Sequence, residues 1–360
     1  MEKIYDSQMK SHDFIKALFE KKIVSGLGTL TQLPNNKGVS FSLLSDAFDI
    51  QKCMPFYPIM PANAAIAVSK LTRETSPSQP VAIMLRPCEL RALIELTKLK
   101  QARLDNLILI SFDCSGVFPF KDSKYPTDTM LDSYYQSIKE ATINNNIRQV
   151  CSGCDHYVPV GADIAISLIG RGVHETLGFS FGTEKGKNIQ EKMGLSQASE
   201  IQPANLEKLT IERQQNKDAL KQNNKISNLD ALLDVFDTCI SCHACSYVCP
   251  ICYCKNCYFE SQTFQYYPEN YSQRLTKKNT LRLPIDRIFF HLGRLSHMGS
   301  SCVACGMCSD VCPVDIPVSE IFKAGGESIQ GVFNYQPGQN LDAPLPLVTY
   351  QEKELHEMED

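Results

Sequence analysis

The feature that most constrains this chain is a cysteine pattern that occurs twice in its second half. Both runs read Cys-x2-Cys-x2-Cys-x3-Cys-Pro, with Cys239, Cys242, Cys245, Cys249 and Pro250 in the first and Cys302, Cys305, Cys308, Cys312 and Pro313 in the second. The 360 residues include 16 cysteines, and the first residues form no apolar signal segment, so we expect a reducing, cytoplasmic location. Disulfide frameworks are typical of short secreted chains, so thiolates that hold metal are the better interpretation.

The spacing is that of bacterial ferredoxins, in which three cysteines of one run and the fourth cysteine of the other hold each [4Fe-4S] cluster. It predicts two ligand sets, namely site I with Cys239, Cys242, Cys245 and Cys312, and site II with Cys302, Cys305, Cys308 and Cys249. Zinc sites also use paired Cys-x2-Cys units, so a zinc-stabilised interaction module is the alternative from another functional class. Zinc does not need a third and a fourth cysteine in register twice, and the pattern therefore favours clusters.

The composition argues against two classes of partner. A formal net charge of -4 gives no electrostatic basis for binding nucleic acid. No run approaches the roughly 18 apolar residues that a membrane-spanning helix needs. Apolar residues make up 43% and charged residues 21%, which is ordinary for a globular protein. We therefore expect neither nucleic-acid binding nor a membrane span.

Periodicity in the first part of the chain alternates between helix and strand. Residues 11 to 22 show the apolar spacing of an amphipathic helix with Ser11 as its N-cap. Residues 80–86 and 107–112 are short apolar runs, typical of buried strands, and residues 89–101 between them carry a helical apolar stripe. Strand, helix and strand in this order predict an α/β domain with a mostly parallel sheet.

Composition along the chain suggests four segments. Residues 1–184 form the α/β domain, and residues 185–234, rich in Lys, Gln, Asn and Glu, form a polar helical linker. Residues 235–320 form an α+β ferredoxin-like domain of the bacterial dicluster type, with a long insert between the two cysteine runs that contains an apolar-faced helix at 284–298. Residues 321–360 are expected to be an extended C-terminal arm, which either wraps a neighbouring subunit or has no fixed structure.

Four further cysteines lie in the α/β domain. Cys88 follows one predicted strand in Arg-Pro-Cys-Glu-Leu-Arg-Ala, and Cys114 follows the next in Asp-Cys-Ser-Gly. Both should lie at the carboxyl edge of the sheet, where open α/β sheets place their ligand sites. Cys151 and Cys154 add a Cys-x2-Cys pair. On spacing alone these cysteines either pack as buried apolar residues or complete a set of four thiolates.

These segments, together with Cys-Ser-Gly-Cys-Asp and Gly161-Ala-Asp-Ile-Ala-Ile-Ser, resemble the beta-subunit family of coenzyme F-420 hydrogenases and formate dehydrogenases. The resemblance covers most of residues 80 to 175 and continues through the ferredoxin-like domain. It implies one more [4Fe-4S] cluster beside a flavin, at site III, with Cys88, Cys114, Cys151 and Cys154 as ligands. The motif around Cys88 also resembles beta subunits of sulfhydrogenases and A subunits of anaerobic sulfite reductases.

The expected flavin site departs from that family. Its members carry a Gly-Gly-x-Val-Thr segment near the N-terminus, whereas this chain offers only Ser25-Gly-Leu-Gly-Thr, a spacing that is common in turns. Bound FAD is therefore an alternative rather than part of the main prediction. Four cysteines remain outside sites I to III: Cys53, Cys252, Cys254 and Cys257. They could hold a fourth cluster, but packing of Cys252 and Cys254 around the cluster held by Cys249 is the favoured interpretation.

The sequence thus predicts an iron-sulfur electron-transfer subunit of an anaerobic oxidoreductase complex, with three [4Fe-4S] clusters and other redox subunits as partners. A flavin-containing reductase subunit that exchanges hydride pairs for single electrons is the first alternative, and the zinc module is the second. No Ser-His-Asp set, P-loop or dinucleotide-binding glycine motif is evident, so no catalytic residue is predicted. His243, His291 and His297 are expected to be packing or solvated residues rather than ligands, because complete cysteine sets are present.

Overall fold

The computed structural model describes residues 5–6, 10–34, 38–45, 47–121, 126–173, 177–195, 206–281 and 284–348. Its strands are β1 (Tyr5–Asp6), β2 (Gly26–Gln32), β3 (Val39–Leu44), β4 (Val81–Leu85), β5 (Leu107–Phe112), β6 (Ile164–Ser167) and β7 (Gly178–Ser180). Its α-helices are α1 (Ser11–Glu20), α2 (Ala64–Thr72), α3 (Pro87–Lys98), α4 (Asp128–Glu140), α5 (Gln149–Ser152), α6 (Glu184–Met193), α7 (Leu206–Asn223), α8 (Leu229–Val235), α9 (Ala244–Tyr247), α10 (Pro268–Lys278), α11 (Arg287–Met298), α12 (Met307–Asp310) and α13 (Val318–Val332). Short 3-10 helices occur at Ala47–Lys52, Tyr258–Glu260, Gln262–Phe264, Gly299–Ser301 and Pro346–Val348.

One mixed sheet organises the first part of the chain, in the order β1-β7-β6-β5-β4-β2-β3. The central strands β6, β5, β4 and β2 run parallel to their neighbours, while β3, β7 and β1 add antiparallel pairs at the two edges. This confirms the predicted α/β domain with a mostly parallel sheet. The prediction of strands near 80–86 and 107–112 and of the helix between them is also confirmed, as β4, β5 and α3.

The two faces of β5 explain why its sequence is continuously apolar. Ile108 and Ile110 face one core, which includes Phe14 of α1, while Leu107 and Leu109 face a second core formed with α2 and α3. A strand covered on both faces has no solvent side on which polar residues would alternate. One detail of the first helix differs from expectation: Lys10 is its N-cap and Ser11 is its first residue, with the Ser11 side chain buried.

The polar stretch after the sheet packs against the α/β domain in places. Helix α7 has only two buried residues, and both contact the α/β domain: Leu209 packs with Tyr157 and Ile169, and Arg213 reaches the loops beside the sheet. Helix propensity alone gives little stability, so α7 depends on these few packing contacts.

Helices α8 to α13 form the regular structure around the two cysteine runs. Their core contains Phe236, Met298, Ile316, Ile321 and Phe322. The predicted apolar-faced helix of the insert is α11, whereas the preceding α10 buries none of its residues. No strand forms within the described residues 206–281 and 284–348, so the strands expected there are absent; irregular loops wrap the cysteines instead. Among the helices described, none is long and apolar enough to cross a bilayer.

The prediction of an extended arm from residue 321 is wrong for most of the described part of that segment. Residues up to 332 belong to α13, and the chain after it packs on α3 of the same molecule. Arg91 Nε donates to the Pro337 carbonyl at 2.7 Å, and the Gly338 amide and the Tyr335 hydroxyl donate to Glu95 Oε1 at 2.9 and 2.5 Å. Buried polar groups on α3 need these partners, which explains why the segment docks. Residues 349–360 of the predicted arm lie outside the described residues.

Substitution of Gly338 tests this docking. Its φ is +71°, and an added Cβ would lie 2.3 Å from the Arg91 carbonyl oxygen, so Gly338→Ala must displace the segment. We expect a loss of about 2 kcal/mol in the free energy of unfolding, visible as a lower urea midpoint under anaerobic conditions. Gly331→Ala in α13 is the matched control, since nothing lies within 4 Å of its added Cβ. That control should be neutral or gain up to about 1 kcal/mol. Equal midpoints for the two variants would contradict the docking.

Candidate metal centres

The two cysteine runs adopt the same backbone conformation. Ser241 and His243 have φ of 49° and 57°, and the corresponding Ala304 and Gly306 have 54° and 85°. Each loop then enters a four-residue helix, α9 or α12, that carries the third cysteine. Alternation of right- and left-handed residues turns successive amides inward, an arrangement found around anions and iron-sulfur sites. The Ser241 amide accordingly donates to Cys239 Sγ at 3.5 Å. The repeat seen in the sequence is therefore also a repeat of structure.

Site I draws cysteines from both runs. Burial raises the pKa of Cys239. Cys239 packs against the same cluster of side chains as Cys312, so the first loop lies near a cysteine of the second run. The Ile316 amide donates to Cys312 Sγ at 3.4 Å. Cys242 is exposed, whereas Cys245 and Cys312 are buried. The four predicted residues thus surround a site with one side open to solvent.

Site II is gathered around one cavity. The cavity is lined by all four predicted cysteines, Cys249, Cys302, Cys305 and Cys308. Met298 of α11 and Phe322 of α13 add apolar side chains to its lining. Burial raises the pKa of Cys302 to about 11 and raises that of Cys308 well above its usual value. Cys249 of the first run therefore lies at one cavity with three cysteines of the second run.

Site III is assembled from three separate segments of the α/β domain. Cys88 lies in the first turn of α3 directly after β4, and Cys114 follows β5, so the parallel pairing of these strands brings both to one sheet edge. Cys151 lies in α5, and it lines a single cavity together with Cys88, Cys114 and Cys154. Gly116 permits this approach, because an added Cβ would lie 3.1 Å from Cys151 Cβ. The predicted location at the carboxyl edge of the sheet is confirmed.

The chemistry of these sites fits iron-sulfur clusters. Burial raises the pKa of Cys88 and Cys114, and it raises that of Cys151 to about 12. Within the part of the chain that the structure describes, no three His, Cys, Asp or Glu side chains converge as a single metal ion requires. The cysteines of sites II and III line cavities, and four cysteines around a cavity are the donor set that a [4Fe-4S] cluster uses.

Site II adjoins both of the other sites. Cys305 and Ala304 line the site III cavity as well as that of site II. On the other side, Cys308 of site II and Cys245 of site I belong to one packed cluster of side chains. The sites therefore form a row in the order III, II, I. Between III and II lie the buried side chains of Met60, Val117 and Met307, and the Arg148 guanidinium packs 3.6 Å from Met60 Sδ and 3.5 Å from Met307 Sδ.

A buried arginine that the sequence analysis missed supports site III. Arg213 on α7 donates to the carbonyl oxygens of Cys114, Cys151 and Cys154 at 3.1, 3.2 and 3.3 Å, and its guanidinium lies 4.4 Å from the ring centre of Tyr157. Its Nε has no hydrogen-bond partner. The residue lies in the segment expected to be a linker, where an arginine among many charged residues gives no signal of this role.

A second missed arginine joins the two halves of the chain. Arg148 forms a buried ion pair with Asp310 of α12, and its Nη1 donates to the Cys305 carbonyl at 2.9 Å. Asp310 also accepts from the Phe120 amide at 3.1 Å. Arg148 directly precedes α5, which carries Cys151, so the pair ties the site III loop to the site II loop.

The four remaining cysteines are not brought together. Cys53 is buried in the core of the α/β domain and forms a backbone bridge with Thr31. Cys252 lies beside Cys249, with each Sγ 3.6 to 3.7 Å from Met298 Sδ, while Cys254 is exposed. Cys257 packs with Cys245 of site I. Cys252 therefore lies where packing around site II was predicted for Cys252 and Cys254, whereas Cys254 is exposed.

The histidines near site I behave as packing residues. His291 stacks on Phe236 with ring centres 4.0 Å apart, and burial lowers its pKa to about 3. Its Nε2 lies 3.4 Å from Cys239 Sγ. His243 stacks on Phe290, and its Nδ1 lies 2.6 Å from Glu260 Oε1.

Comparison with known proteins agrees with this chemistry. Residues 234–316 match the family described as 4Fe-4S dicluster domain. Subunit beta of F420-dependent formate dehydrogenase 1 of Methanococcus maripaludis is 30% identical over 304 residues, covering 74% of this chain and 75% of the relative. Subunit beta of the F420-dependent formate dehydrogenase of Methanocaldococcus jannaschii is 24% identical over 369 residues, covering 92% and 91%.

Among solved structures, a chain of the F420-reducing [NiFe] hydrogenase complex from Methanosarcina barkeri, determined as a xenon derivative, aligns with a TM-score of 0.43 and 14% identity, over 59% of this chain and 84% of that one. The sequence relationship carries the assignment, because identity and coverage are both high for the first relative. The chain belongs to the family of the F420-dependent formate dehydrogenase beta subunits.

Proposed function

We propose that this chain carries single electrons through three [4Fe-4S] clusters, along the row from site III through site II to site I or in the reverse direction. Its general role follows from its family and its dicluster domain: it is an iron-sulfur electron-transfer subunit of an oxidoreductase complex. The observation that most supports the three-cluster proposal is the common wall between neighbouring sites, since electron tunnelling falls steeply with distance. Cys305 and Ala304 contribute to two of the three sites.

Each bound cluster would supply a one-electron acceptor, and the protein supplies everything that holds it. The thiolates of the three cysteine sets would bind the clusters, and loop amides such as that of Ser241 donate hydrogen bonds to the cysteine sulfur atoms. Arg213 and Arg148 hold the site III loops in place. Met60 and Met307 pack between sites III and II, against the guanidinium of Arg148.

The two ends of the row suggest two redox partners. Site I has the exposed Cys242, and site III lies at the sheet edge where α/β folds bind ligands. From the names of the relatives we infer that formate and coenzyme F420 are the substrate pair of the complex, with FAD at the site III end as a second candidate cofactor. The 16 cysteines include three sets proposed to hold iron-sulfur clusters, and from this we infer a reducing, cytoplasmic location.

Anaerobic purification with the native partner subunits tests this proposal. We expect this chain to contribute about twelve iron and about twelve sulfide beyond those of its partner subunits, with spin signals from all clusters after reduction. About eight iron atoms would contradict site III, and a colourless zinc protein would contradict the whole proposal. Flavin counted in the same preparation decides the second candidate, since about one FAD per chain would support it and none would refute it.

A further inference from the structure

Arg294 lies between sites I and II. Its Nη1 donates to Cys245 Sγ at 3.0 Å, and its Nη2 donates to the Cys245 carbonyl at 3.1 Å. The same Nη2 lies 3.8 Å from Met298 Sδ, which in turn lies 3.6 Å from Cys249 Sγ of site II. Arg294 belongs to α11, and only 4% of the residue is exposed. One guanidinium therefore contacts a cysteine of site I and approaches one of site II.

This cation has no carboxylate partner within the described ranges, where Arg287 and Arg148 each have one. The ring centres of Phe290 and Phe322 lie 5.5 and 4.8 Å from its guanidinium carbon, and its Nε has no hydrogen-bond partner among the residues that the structure describes. A buried charge without a counter-charge is strongly unfavourable. The groups of opposite charge at hand are the surrounding cysteine thiolates, those of Cys245, Cys249, Cys252 and Cys308.

We propose that Arg294 is a shared counter-charge that raises the reduction potentials of sites I and II together. This inference rests on the function proposed above, because it requires clusters at both sites. Each site gains one electron on reduction and becomes more negative by one charge, while Arg294 gains and loses neither electron nor proton. A fixed positive charge in a low-dielectric interior therefore favours the reduced form at both sites. Arg294 would therefore act through its positive charge and not as a ligand of either cluster.

Arg287 provides a matched control on the same helix. It is also buried, two turns before Arg294, and it bonds to Asp237, which lies two residues before Cys239 of site I. Its Nη2, however, lies 2.8 Å from Asp237 Oδ1, and its Nη1 donates to the Asp237 carbonyl at 2.5 Å. Because that carboxylate already balances its charge, Arg287→Gln should change the potential of site I much less than Arg294→Gln does.

The test uses the anaerobically purified complex with Arg294→Gln, Arg294→Lys and Arg287→Gln. Iron and sulfide are counted first, and reduction is then followed by spin resonance during potentiometric titration. For Arg294→Gln we expect the reduced-to-oxidised ratio of sites I and II to fall about tenfold at the wild-type midpoints, which corresponds to ~59 mV for a one-electron couple. Arg294→Lys, which keeps the charge, and Arg287→Gln should stay within about threefold of wild type.

Full iron with unchanged midpoints in Arg294→Gln would overturn the inference, and so would equal shifts in the Gln and Lys variants. A shift in Arg287→Gln as large as in Arg294→Gln would also overturn it. If Arg294→Gln does not retain iron, Arg294→Lys decides, because a shift beyond about tenfold with full iron refutes a role based on charge. A wild-type complex without clusters at sites I and II would contradict the proposed function instead.

Discussion

Replacement of Cys88 by serine should lower the iron content of the purified complex by about four atoms per copy of this chain. Cys88 lies in the first turn of α3 and lines the site III cavity with the other three cysteines of that set. A serine hydroxyl is a poorer ligand for iron than a thiolate, and the site has no spare cysteine. Iron and sulfide analysis under strict anaerobiosis measures the loss, and spin resonance should show the signals of sites I and II retained.

Cys254→Ser is the control for this experiment. Cys254 is exposed in the loop after the first cysteine run and belongs to none of the three sets. Its substitution should leave the iron content unchanged. Full iron in Cys88→Ser, or an equal loss in Cys254→Ser, would refute the assignment of site III.

Replacement of Asp310 by asparagine should strongly destabilise the contact between the two halves of the chain. The side chains of Arg148 and Asp310 are only 3% and 5% exposed, so the substitution leaves a buried guanidinium without its counter-charge. Removal of one partner of such a pair typically costs about 3–5 kcal/mol. Because unfolding of a cluster protein is commonly irreversible, the measurement is the apparent unfolding midpoint at a fixed heating rate, compared with wild type.

The surface pair Lys16–Glu20 gives the matched control. Both side chains are 60% exposed, and the two atoms lie 3.4 Å apart. Glu20→Gln should change the free energy of unfolding by less than about 0.5 kcal/mol, because solvent screens an exposed pair. If Asp310→Asn unfolds at the same midpoint as Glu20→Gln, the buried pair does not hold the halves together.

The sequence by itself determined the features that depend on short segments. The repeated cysteine spacing predicted the ligand sets of sites I and II, including the crossing of Cys249 and Cys312, because it is the spacing of bacterial ferredoxins. The apolar runs of β4 and β5 gave the parallel sheet, and their order placed Cys88 and Cys114 at one edge. Such features can be predicted because they follow from the spacing of residues within short segments of the chain.

Tertiary structure alone decided the features in which distant segments meet. Cys53 counts as a spare ligand in the sequence but packs in the α/β core, and Arg213 comes from an apparent linker to hold the loops of site III. The residues after α13 look like an arm, yet Gly338 and Tyr335 satisfy buried Glu95 on α3. Arg294 has no distinguishing sequence context, and its lack of a carboxylate partner is visible only once the surrounding chain is folded. Burial and charge pairing are properties of the packed chain, and no local pattern of residues encodes them.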